Sequence, residues 1–327
     1  MTKEELRIVF MGTPEFAVGT LQALVEGGYN VVAVVTKPDQ PSARHGSVMV
    51  PPEVKKYALE QGIPVLQPEK MKDPQFVEQL RAYQADLQVV VAFRMLPEVV
   101  WAMPRLGTFN VHASLLPQYR GAAPINWAII NGETETGVTT FFLDHEIDTG
   151  RIILQEKFPI PDEADLEFVY DGLMHLGAKA ALKTIDMLIE TDGMVKTIEQ
   201  AQMTQHVGRL LPAPKIFKDT CRIDWSLSTK QIYDFVRGLS PYPGAWTTIH
   251  GKDGGKESVV KLFKVSKHLE RPAEGAVGSL LVKDGALFVC TVDGLLQLES
   301  LQMAGKKRMA ARDFVNGVKN IENQILD

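Results

Sequence analysis

The sequence contains very little cysteine. Cys221 and Cys290 are the only two cysteines among 327 residues, and no Cys-x-x-Cys motif occurs. Two cysteines are too few for the disulfide framework of a small secreted protein. We therefore expect the chain to work in a reducing, cytoplasmic setting.

Long apolar runs, repeats and low-complexity tracts are also missing. No run reaches the roughly 18 apolar residues that a transmembrane helix requires. The opening residues, MTKEELRIVFMG, lead into a predicted strand without the apolar segment and cleavage site of a signal peptide. We therefore expect no association with a membrane, and a length of 327 residues suggests two globular domains.

Charge is distributed unevenly along the chain. Residues 1–200 contain 17 Lys and Arg against 27 Asp and Glu, a net charge of −10. Residues 201–327 contain 18 against 13, a net charge of +5. A basic C-terminal part is typical of a protein that holds a polyanion there, although an accidental excess of surface lysine and arginine gives the same count.

Strand and helix patterns alternate through the first 200 residues. Short apolar runs predict strands at 6–11, 31–35, 64–66, 87–92, 107–111, 138–143 and 151–158. Apolar residues at helical spacing predict helices at 15–26, 54–61, 74–83, 122–131 and 163–190. The alternation predicts an α/β domain with a doubly wound, Rossmann-like, mostly parallel sheet. Its first turn, GTPEFAVG, is not GxGxxG, which argues against a dinucleotide-dependent oxidoreductase.

The pattern changes after residue 200. Residues 201–214 have two prolines and no clear period, which predicts a linker between a domain at 1–200 and a domain at 215–327. Runs broken by glycine then predict strands at 246–249, 259–265, 278–282, 287–290 and 295–303, with one helix at 229–238. Five short strands and a helix favour a small OB-like β-barrel, a fold that often binds oligonucleotides.

Three polar side chains lie at the end of a predicted strand or in a later loop. Asn110 and His112 are two residues apart and point to the same side of an extended strand, and Asp148 precedes a glycine in a later loop. An asparagine can donate to a developing oxyanion, a histidine can donate or transfer a proton, and an aspartate can orient the histidine or accept a proton. Together they suit attack on a carbonyl group, while ordinary hydrogen bonding at a strand end stays open as an alternative.

A metal site is a second alternative for this region. His112, His145, Glu146 and Asp148 could be ligands, but their spacing matches no familiar zinc pattern such as HExxH. We therefore predict no metal here.

The segments that contain and surround Asn110, His112 and Asp148 resemble those of a known protein family. Four segments together resemble the folate-dependent formyltransferase family: Asn110-Val111-His112, the SLLP segment Ser114–Pro117, the YRGAAP segment Tyr119–Pro124, and His145-Glu146-Ile147-Asp148-Thr149-Gly150. The resemblance extends along nearly the whole chain, through FMGTPEFAV, KPDQP, VVVAFRMLPE, LLPAPKI and RIDW…VRGLSPYPGAW. The RIDW and PYPGAW segments lie in the C-terminal domain, which relatives that act on small amines or sugars need not share.

The resemblance implies a reaction. The formyl donor would be 10-formyltetrahydrofolate, the acceptor would be the α-amino group of methionine esterified to initiator tRNA, and no metal would be required. Asn110, His112 and Asp148 would be catalytic. Asn110 and protonated His112 would donate to the formyl oxygen, and Asp148 would help to take the amine proton, directly or through water.

The resemblance also implies two sets of binding residues. The folate would contact Ser114, Leu115, Leu116, Pro117, Phe93, Arg94, Met95, Leu96, Asp144 and His145. The tRNA would contact basic residues of the long loop at 36–52 and of the C-terminal part, namely Arg44, Lys215, Lys306, Lys307 and Arg308. The family's loop reads more like P-A-G-R-G, whereas here Ala43 replaces a glycine and the following lysines are missing, which leaves the loop's contacts with tRNA open.

Other functions compete with this reading. A related formyltransferase could act on an amino sugar nucleotide or another small amine, and a hydrolase could release formate from formyl-folate. A nucleic-acid-binding protein with an inactive enzyme-like domain belongs to a different class, and the intact Asn110, His112 and Asp148 argue against it. We expect a monomer whose partners are folate and tRNA.

Overall fold

The computed structural model describes residues 1–41, 48–204, 208–268, 275–318 and 320–327. The chain divides into two compact units. Unit 1 comprises Met1–Gly121, Glu135–Pro159 and Tyr170–Pro212, and unit 2 comprises Ala122–Thr134, Ile160–Val169 and Ala213–Asp327. Two short segments from the first 200 residues thus group with the C-terminal part, and the predicted domain boundaries at 200 and 215 stay a prediction.

Nine strands lie in the described residues of unit 1. In chain order they are β1 (Ile8–Gly12), β2 (Val31–Val35), β3 (Gln40–Pro41), β4 (Met49–Val50), β5 (Val65–Leu66), β6 (Leu87–Val91), β7 (Thr108–His112), β8 (Glu135–Phe142) and β9 (Ile152–Pro159). The hairpin β3–β4 stands apart, and the other seven strands form one sheet in the order β5-β2-β1-β6-β7-β8-β9.

The sheet of unit 1 is mixed. Strands β5, β2, β1, β6 and β7 run parallel to one another. Strand β8 is antiparallel to both β7 and β9. The central strands β1 and β6 are buried along their whole length and are almost entirely apolar, as strands covered on both faces must be. The prediction of a Rossmann-like, mostly parallel sheet is confirmed.

The periodicity of the sequence predicts six helices, and the described residues contain nine. They are α1 (Glu15–Glu26), α2 (Glu53–Glu60), α3 (Pro74–Ala82), α4 (Glu98–Trp101), α5 (Pro124–Ile130), α6 (Leu166–Glu190), α7 (Gln200–Thr204), α8 (Thr229–Gly238) and α9 (Ala311–Gly317). Helix α8 begins with a capping box, in which Ser228 Oγ accepts from Gln231 N at 3.3 Å and Gln231 Oε1 accepts from Ser228 N at 3.0 Å. No helix among the described residues is long and apolar enough to cross a membrane.

Unit 2 contains an antiparallel sheet. Its strands are β10 (Ala245–Gly251), β11 (Ser258–His268), β12 (Leu280–Lys283), β13 (Ala286–Cys290), β14 (Leu295–Met303), β15 (Met309–Ala310) and β16 (Gln324–Leu326). The path runs β12-β13-β14-β11-β10-β16, and β15 pairs with β14. A bridge between Ser279 and Ile325 joins the two ends of this path, so the sheet closes on itself around a core of aliphatic side chains. The predicted small OB-like β-barrel agrees with this closed antiparallel sheet.

Candidate active site

Strand β7 places two of the predicted catalytic residues. Asn110 is half-buried in the middle of the strand, and His112 is buried at its end. The Nε2 atom of His112 lies 2.9 Å from the carbonyl oxygen of Tyr119. Because a carbonyl oxygen only accepts, Nε2 carries a hydrogen and donates it. The other ring nitrogen, Nδ1, faces the carboxylate of Asp148 at 3.9 Å, which is longer than a hydrogen bond but close enough for attraction between charges.

Asp148 reaches His112 by a route that the strand pattern does not predict. Because β8 is antiparallel to β7, Thr139 pairs with His112 and Phe142 pairs with Phe109. The end of β8 therefore lies beside the amino end of β7 and not at its carboxyl end. The loop 143–151 turns back along the sheet, and this return brings Asp148 to the histidine.

The backbone of the loop holds Asp148 in an unusual conformation. Its φ of +57° is in the left-handed region, where residues with a side chain are uncommon and often belong to a functional site. Its Oδ2 atom accepts a hydrogen bond of 3.0 Å from the backbone N–H of Gly121. A main-chain donor thus fixes the carboxylate next to His112.

The SLLP segment is tied to the sheet by two side chains. Thr139 Oγ1 donates to the carbonyl oxygen of Ser114 at 2.6 Å and accepts from the backbone N–H of Leu116 at 3.1 Å. Gln155 Nε2 donates to the carbonyl oxygen of Leu116 at 2.8 Å and to Thr139 Oγ1 at 2.9 Å. These bonds fix the backbone of the segment just beyond His112.

The predicted folate residues of this segment differ in exposure. Ser114, Leu116 and Pro117 are buried, whereas Leu115 is half-buried. The hydroxyl of Ser114 donates to the carbonyl oxygen of Gln118 at 2.7 Å, within the protein. A ligand would therefore meet Leu115 and the backbone of the segment.

A second predicted folate segment follows β6. The guanidinium of Arg94 donates to the carbonyl oxygens of Pro68 and Glu69 and lies 5.6 Å from the ring centre of Phe93. Its Nε is buried and has no hydrogen-bond partner within the described part of the chain, and burial lowers the pKa of this guanidinium. Met95 is 72 % exposed, whereas Leu96 is buried.

The third predicted folate segment meets the second. Asp144 Oδ1 accepts from the backbone N–H of His145 at 2.7 Å. The ring of His145 packs edge-on against Trp101, 5.3 Å between centroids, and its Nδ1 lies 3.9 Å from Glu98 Oε2. Both partners belong to α4, the helix that directly follows Phe93–Leu96, so the structure brings the two segments together.

The predicted tRNA-binding residues fall into three groups. Arg44, like Ala43, lies outside the described residues. Lys215 is exposed, and its Nζ lies 5.4 Å from the ring centre of Phe217. Lys306 and Lys307 are exposed in the turn between β14 and β15, and Arg308 ends that turn.

Sequence reasoning missed the residues that support the site. They are Tyr119, Arg120 and Gly121 of the YRG turn, Gln200, and the pair Thr139 and Gln155. Of these, the YRG turn has a signal in the sequence, because it belongs to the YRGAAP segment, Tyr119–Pro124, that carries part of the resemblance to the formyltransferase family. No group of three or more His, Cys, Asp or Glu side chains that could hold a metal ion occurs among the described residues.

Solved structures of low identity share the fold. HypX from Aquifex aeolicus in complex with tetrahydrofolic acid superposes with a TM-score of 0.60 at 20% identity, over 96% of this chain and 48% of that one. WlaRD, a sugar 3N-formyl transferase, gives a TM-score of 0.59 at 18% identity, over 92% and 99% of the two chains.

Sequence comparison identifies much closer relatives. The chain is 61% identical to the methionyl-tRNA formyltransferase of Parabacteroides distasonis over 324 residues, which cover 98% of both chains. It is 57% identical to the methionyl-tRNA formyltransferase of Bacteroides fragilis over 319 residues, 97% of this chain and 96% of that one. The model of the formyl transferase family matches residues 6–185, and the model of the formyl transferase C-terminal domain matches residues 215–319. The chain therefore belongs to the formyl transferase family.

Proposed function

We propose that the protein transfers the formyl group of 10-formyltetrahydrofolate to the α-amino group of methionine esterified to initiator tRNA. The main support is the position of the buried His112, which lies between the Tyr119 carbonyl and Asp148 and is two residues from Asn110. The chain around it is 61% identical, over 98% of its length, to a methionyl-tRNA formyltransferase. Asn110, His112 and Asp148 are the residues that we propose to be catalytic.

Each of these three side chains has a role in the proposed reaction. As the amine nitrogen bonds to the formyl carbon, the carbonyl electron pair moves onto oxygen, and Asn110 and His112 donate to that oxygen. His112 uses Nδ1 for this, because Nε2 is already bonded to Tyr119 O. Asp148 stabilises the positive charge on the imidazole and receives the amine proton, directly or through water. Cleavage of the bond between the formyl carbon and N10 then releases tetrahydrofolate, whose N10 takes a proton.

The folate site would use the three segments beside this centre. The unpartnered Nε of Arg94 is a buried donor that suits a heterocycle rich in acceptors, and the exposed Met95 gives such a ring an apolar wall. Leu115 and the backbone of Ser114–Pro117 would form the side nearest to His112, and Asp144 and His145 the side carried by α4. No step requires a metal.

Unit 2 offers a surface for RNA. Arg222 lies 5.7 Å from the ring centre of Trp246, and Arg308 lies 4.5 Å from that of Phe263. Lys261 joins the two pairs, because it is opposite Trp246 in the β10–β11 ladder and flanks Gly244 together with Phe263. We call these five residues the basic–aromatic strip. Cations bind phosphates and aromatic faces stack on bases, which is the combination that RNA-binding surfaces use.

The predicted tRNA residues border this strip. Trp246 Nε1 donates to the carbonyl oxygen of Lys218 at 2.7 Å, which ties the segment after Lys215 to one end. Lys306 and Lys307 precede Arg308 at the other end. We propose that Lys215, Lys306 and Lys307 contact the tRNA together with the strip, to which Arg308 belongs.

The decisive experiment measures formyl transfer from 10-formyltetrahydrofolate to purified methionyl initiator tRNA. Three proteins are compared: the native chain, His112→Ala and His175→Ala. His175 is a matched control, since it is exposed on α6 and its Nδ1 bonds to the carbonyl of Asp171 in the same helix. We expect transfer by the native protein and His175→Ala, and a loss on the order of 100–1,000-fold in His112→Ala.

The opposite result has a clear meaning. If the folded native protein binds tetrahydrofolate but does not formylate the tRNA, the proposed acceptor is wrong. Amino sugar nucleotides and other small amines would then be tested as acceptors, and release of formate would be measured for hydrolysis.

A further inference from the structure

Gln200, the first residue of α7, connects the loop of Asp148 to the YRG turn. It is 2 % exposed. Its Nε2 donates to two carbonyl oxygens of the loop, that of Asp148 at 2.8 Å and that of Gly150 at 2.9 Å. Its Oε1 accepts from Nε and NH2 of Arg120 at 3.0 and 2.6 Å. Both donors and both acceptor positions of this amide are therefore used.

The YRG turn contacts each part of the candidate site. The Tyr119 carbonyl accepts from His112, the Gly121 N–H donates to the Asp148 carboxylate, and the Arg120 side chain holds Gln200. Tyr119 has a φ of +60°, so it shares the left-handed conformation of Asp148. Surrounding contacts must maintain such conformations, because each is intrinsically unfavourable by about 1–3 kcal/mol.

We infer that Gln200 and Arg120 are positioning residues that hold Asp148 in its working place beside His112. This inference rests on the proposed function, in which Asp148 receives the amine proton. Neither residue needs to touch the reacting atoms. Gln200 fixes the backbone on both sides of Thr149, and Arg120 fixes Gln200 in the orientation that points its two donors at the loop.

Removal of Gln200 should therefore affect the chemical step more than substrate binding. Without the amide of Gln200, the carbonyls of Asp148 and Gly150 lose their donors. The backbone of Asp148 can then leave its left-handed conformation. A displacement of about 1 Å at a reacting group costs on the order of 100-fold in rate. We expect Gln200→Ala to lower kcat about 10–100-fold, with each KM within about twofold of the native value.

The test is a double-mutant cycle with Asp148. Single-turnover formyl transfer is measured for the native protein, Gln200→Ala, Asp148→Ala and the double variant, with urea unfolding of each. Gln231→Ala is the control, because the amide of Gln231 also bonds to the backbone, where its Oε1 accepts from the N–H of Ser228 in the capping box of α8 in unit 2. If Gln200 acts through Asp148, its removal lowers the rate in the native background and changes nothing further in Asp148→Ala.

Three results would overturn the inference. The first is a native kcat in Gln200→Ala. The second is that Gln200→Ala lowers the transfer rate equally in the native protein and in Asp148→Ala. The third is that Gln231→Ala lowers the rate as much as Gln200→Ala does. If Gln200→Ala does not fold, Arg120→Lys replaces it in the same cycle, since a lysine keeps the charge but cannot make both bonds to Oε1. An inactive native protein would instead refute the proposed function, so the two failures are distinguishable.

Discussion

In the part of the chain that the structure describes, a main-chain donor fixes the carboxylate of Asp148, and no lysine or arginine forms a salt bridge with it. The Gly121 N–H holds Oδ2 at 3.0 Å without cancelling its charge. That charge is then available to His112, whose Nδ1 lies 3.9 Å away. A salt bridge to arginine or lysine at this position would hold the carboxylate equally well but would oppose the positive charge on the imidazole.

Asp148→Asn tests the charge separately from the shape. Asparagine tolerates the left-handed conformation and still accepts from Gly121, but it is neutral. We expect formyl transfer to fall by about 100-fold or more, the scale of a general acid–base contribution, with little change in folding. Single-turnover rates measure this.

A matched control exists on the surface of unit 1. Asp192 also has a left-handed φ, +48°, and is exposed near Arg105. Asp192→Asn makes the same substitution in the same backbone conformation, so it should retain native activity. Native activity in Asp148→Asn would show that the carboxylate takes no part in the reaction.

Individual residues differ in how well the sequence predicts them. The pleat of an extended strand is enough to put Asn110 and His112 on one side of β7. The contact between Gln200 and the loop of Asp148 joins residues 52 positions apart, and nothing in the local pattern around Gln200 indicates it. Ser114 stays a predicted folate residue, and the bond of its hydroxyl to the carbonyl of Gln118 in the same turn does not follow from the strand pattern.

At the scale of elements, strands β8 and β9 support the SLLP segment as a pair. Thr139 and Gln155 are opposite each other in the ladder between these strands. Both side chains bond to the backbone of the segment, so the two strands act as a rigid base for the predicted folate site.

Thr139→Val removes the central hydroxyl of this support and keeps its volume. The N–H of Leu116 and the carbonyl of Ser114 then lose a buried partner, which should lower the free energy of unfolding by about 1–3 kcal/mol. The loosened segment should also bind tetrahydrofolate more weakly. Urea unfolding and titration with tetrahydrofolate measure the two effects.

The neighbouring threonine provides the control. Thr140 is equally buried on β8, but its hydroxyl lies 2.8 Å from that of Thr184 on α6. Thr140→Val should lower the free energy of unfolding without a specific effect on the affinity for tetrahydrofolate. Equal weakening of folate binding by both variants would contradict a special role for Thr139.

The bounds of elements follow from local periodicity, but the direction of β8 does not. The predicted bounds of α1, β2, α8 and β14 are those observed, because each has a strong period and clear breaking residues at its ends. The connection from β7 to β8 contains α5, which is typical of a parallel crossover. Here α5 packs against α8 within unit 2, where Asn126 Nδ2 donates to the carbonyl of Gly238, and β8 is antiparallel to β7. Strands β15 and β16 were missed because two or three residues show no period.

At the scale of the whole molecule, the grouping of residues 122–134 and 160–169 with unit 2 depends on contacts that are distant in sequence. Tyr233 Oη donates to the carbonyl of Asp162 at 2.9 Å, and Arg237 NH1 donates to that of Ala164 at 2.8 Å. Trp127 Nε1 donates to the carbonyl of Pro214 at 2.8 Å. Periodicity reveals elements but not such long-range partners, so the sequence suggests two consecutive domains.

The charge difference between the two parts of the chain leads to a prediction about salt. The double variant Arg222→Ala, Arg308→Ala removes both arginines of the basic–aromatic strip. If both contact phosphates, tRNA affinity should fall, and the slope of log affinity against log salt should decrease in magnitude by about 0.7–0.9 for each lost contact. Binding of initiator tRNA at several salt concentrations measures the slope, and kcat at saturating tRNA should be unchanged.

Lys179→Ala is the control for this experiment, because it removes one exposed positive charge from α6 and leaves the strip intact. It should leave the slope unchanged. A native slope in the double variant would show that the tRNA does not lie along the strip.

Both thiols of the molecule are buried in the barrel of unit 2. Cys221 is 1 % exposed and donates to the carbonyl of Phe217 at 3.3 Å, and Cys290 lies within β13. Burial raises the pKa of the Cys221 thiol, which suppresses the thiolate that alkylating reagents attack. Alkylation of the native protein therefore requires the barrel to open, while unit 1 contains no cysteine to react. The rate of thiol labelling thus reports the opening of one unit alone, and a cysteine introduced on the surface would be the only fast-reacting position for a fluorescent probe.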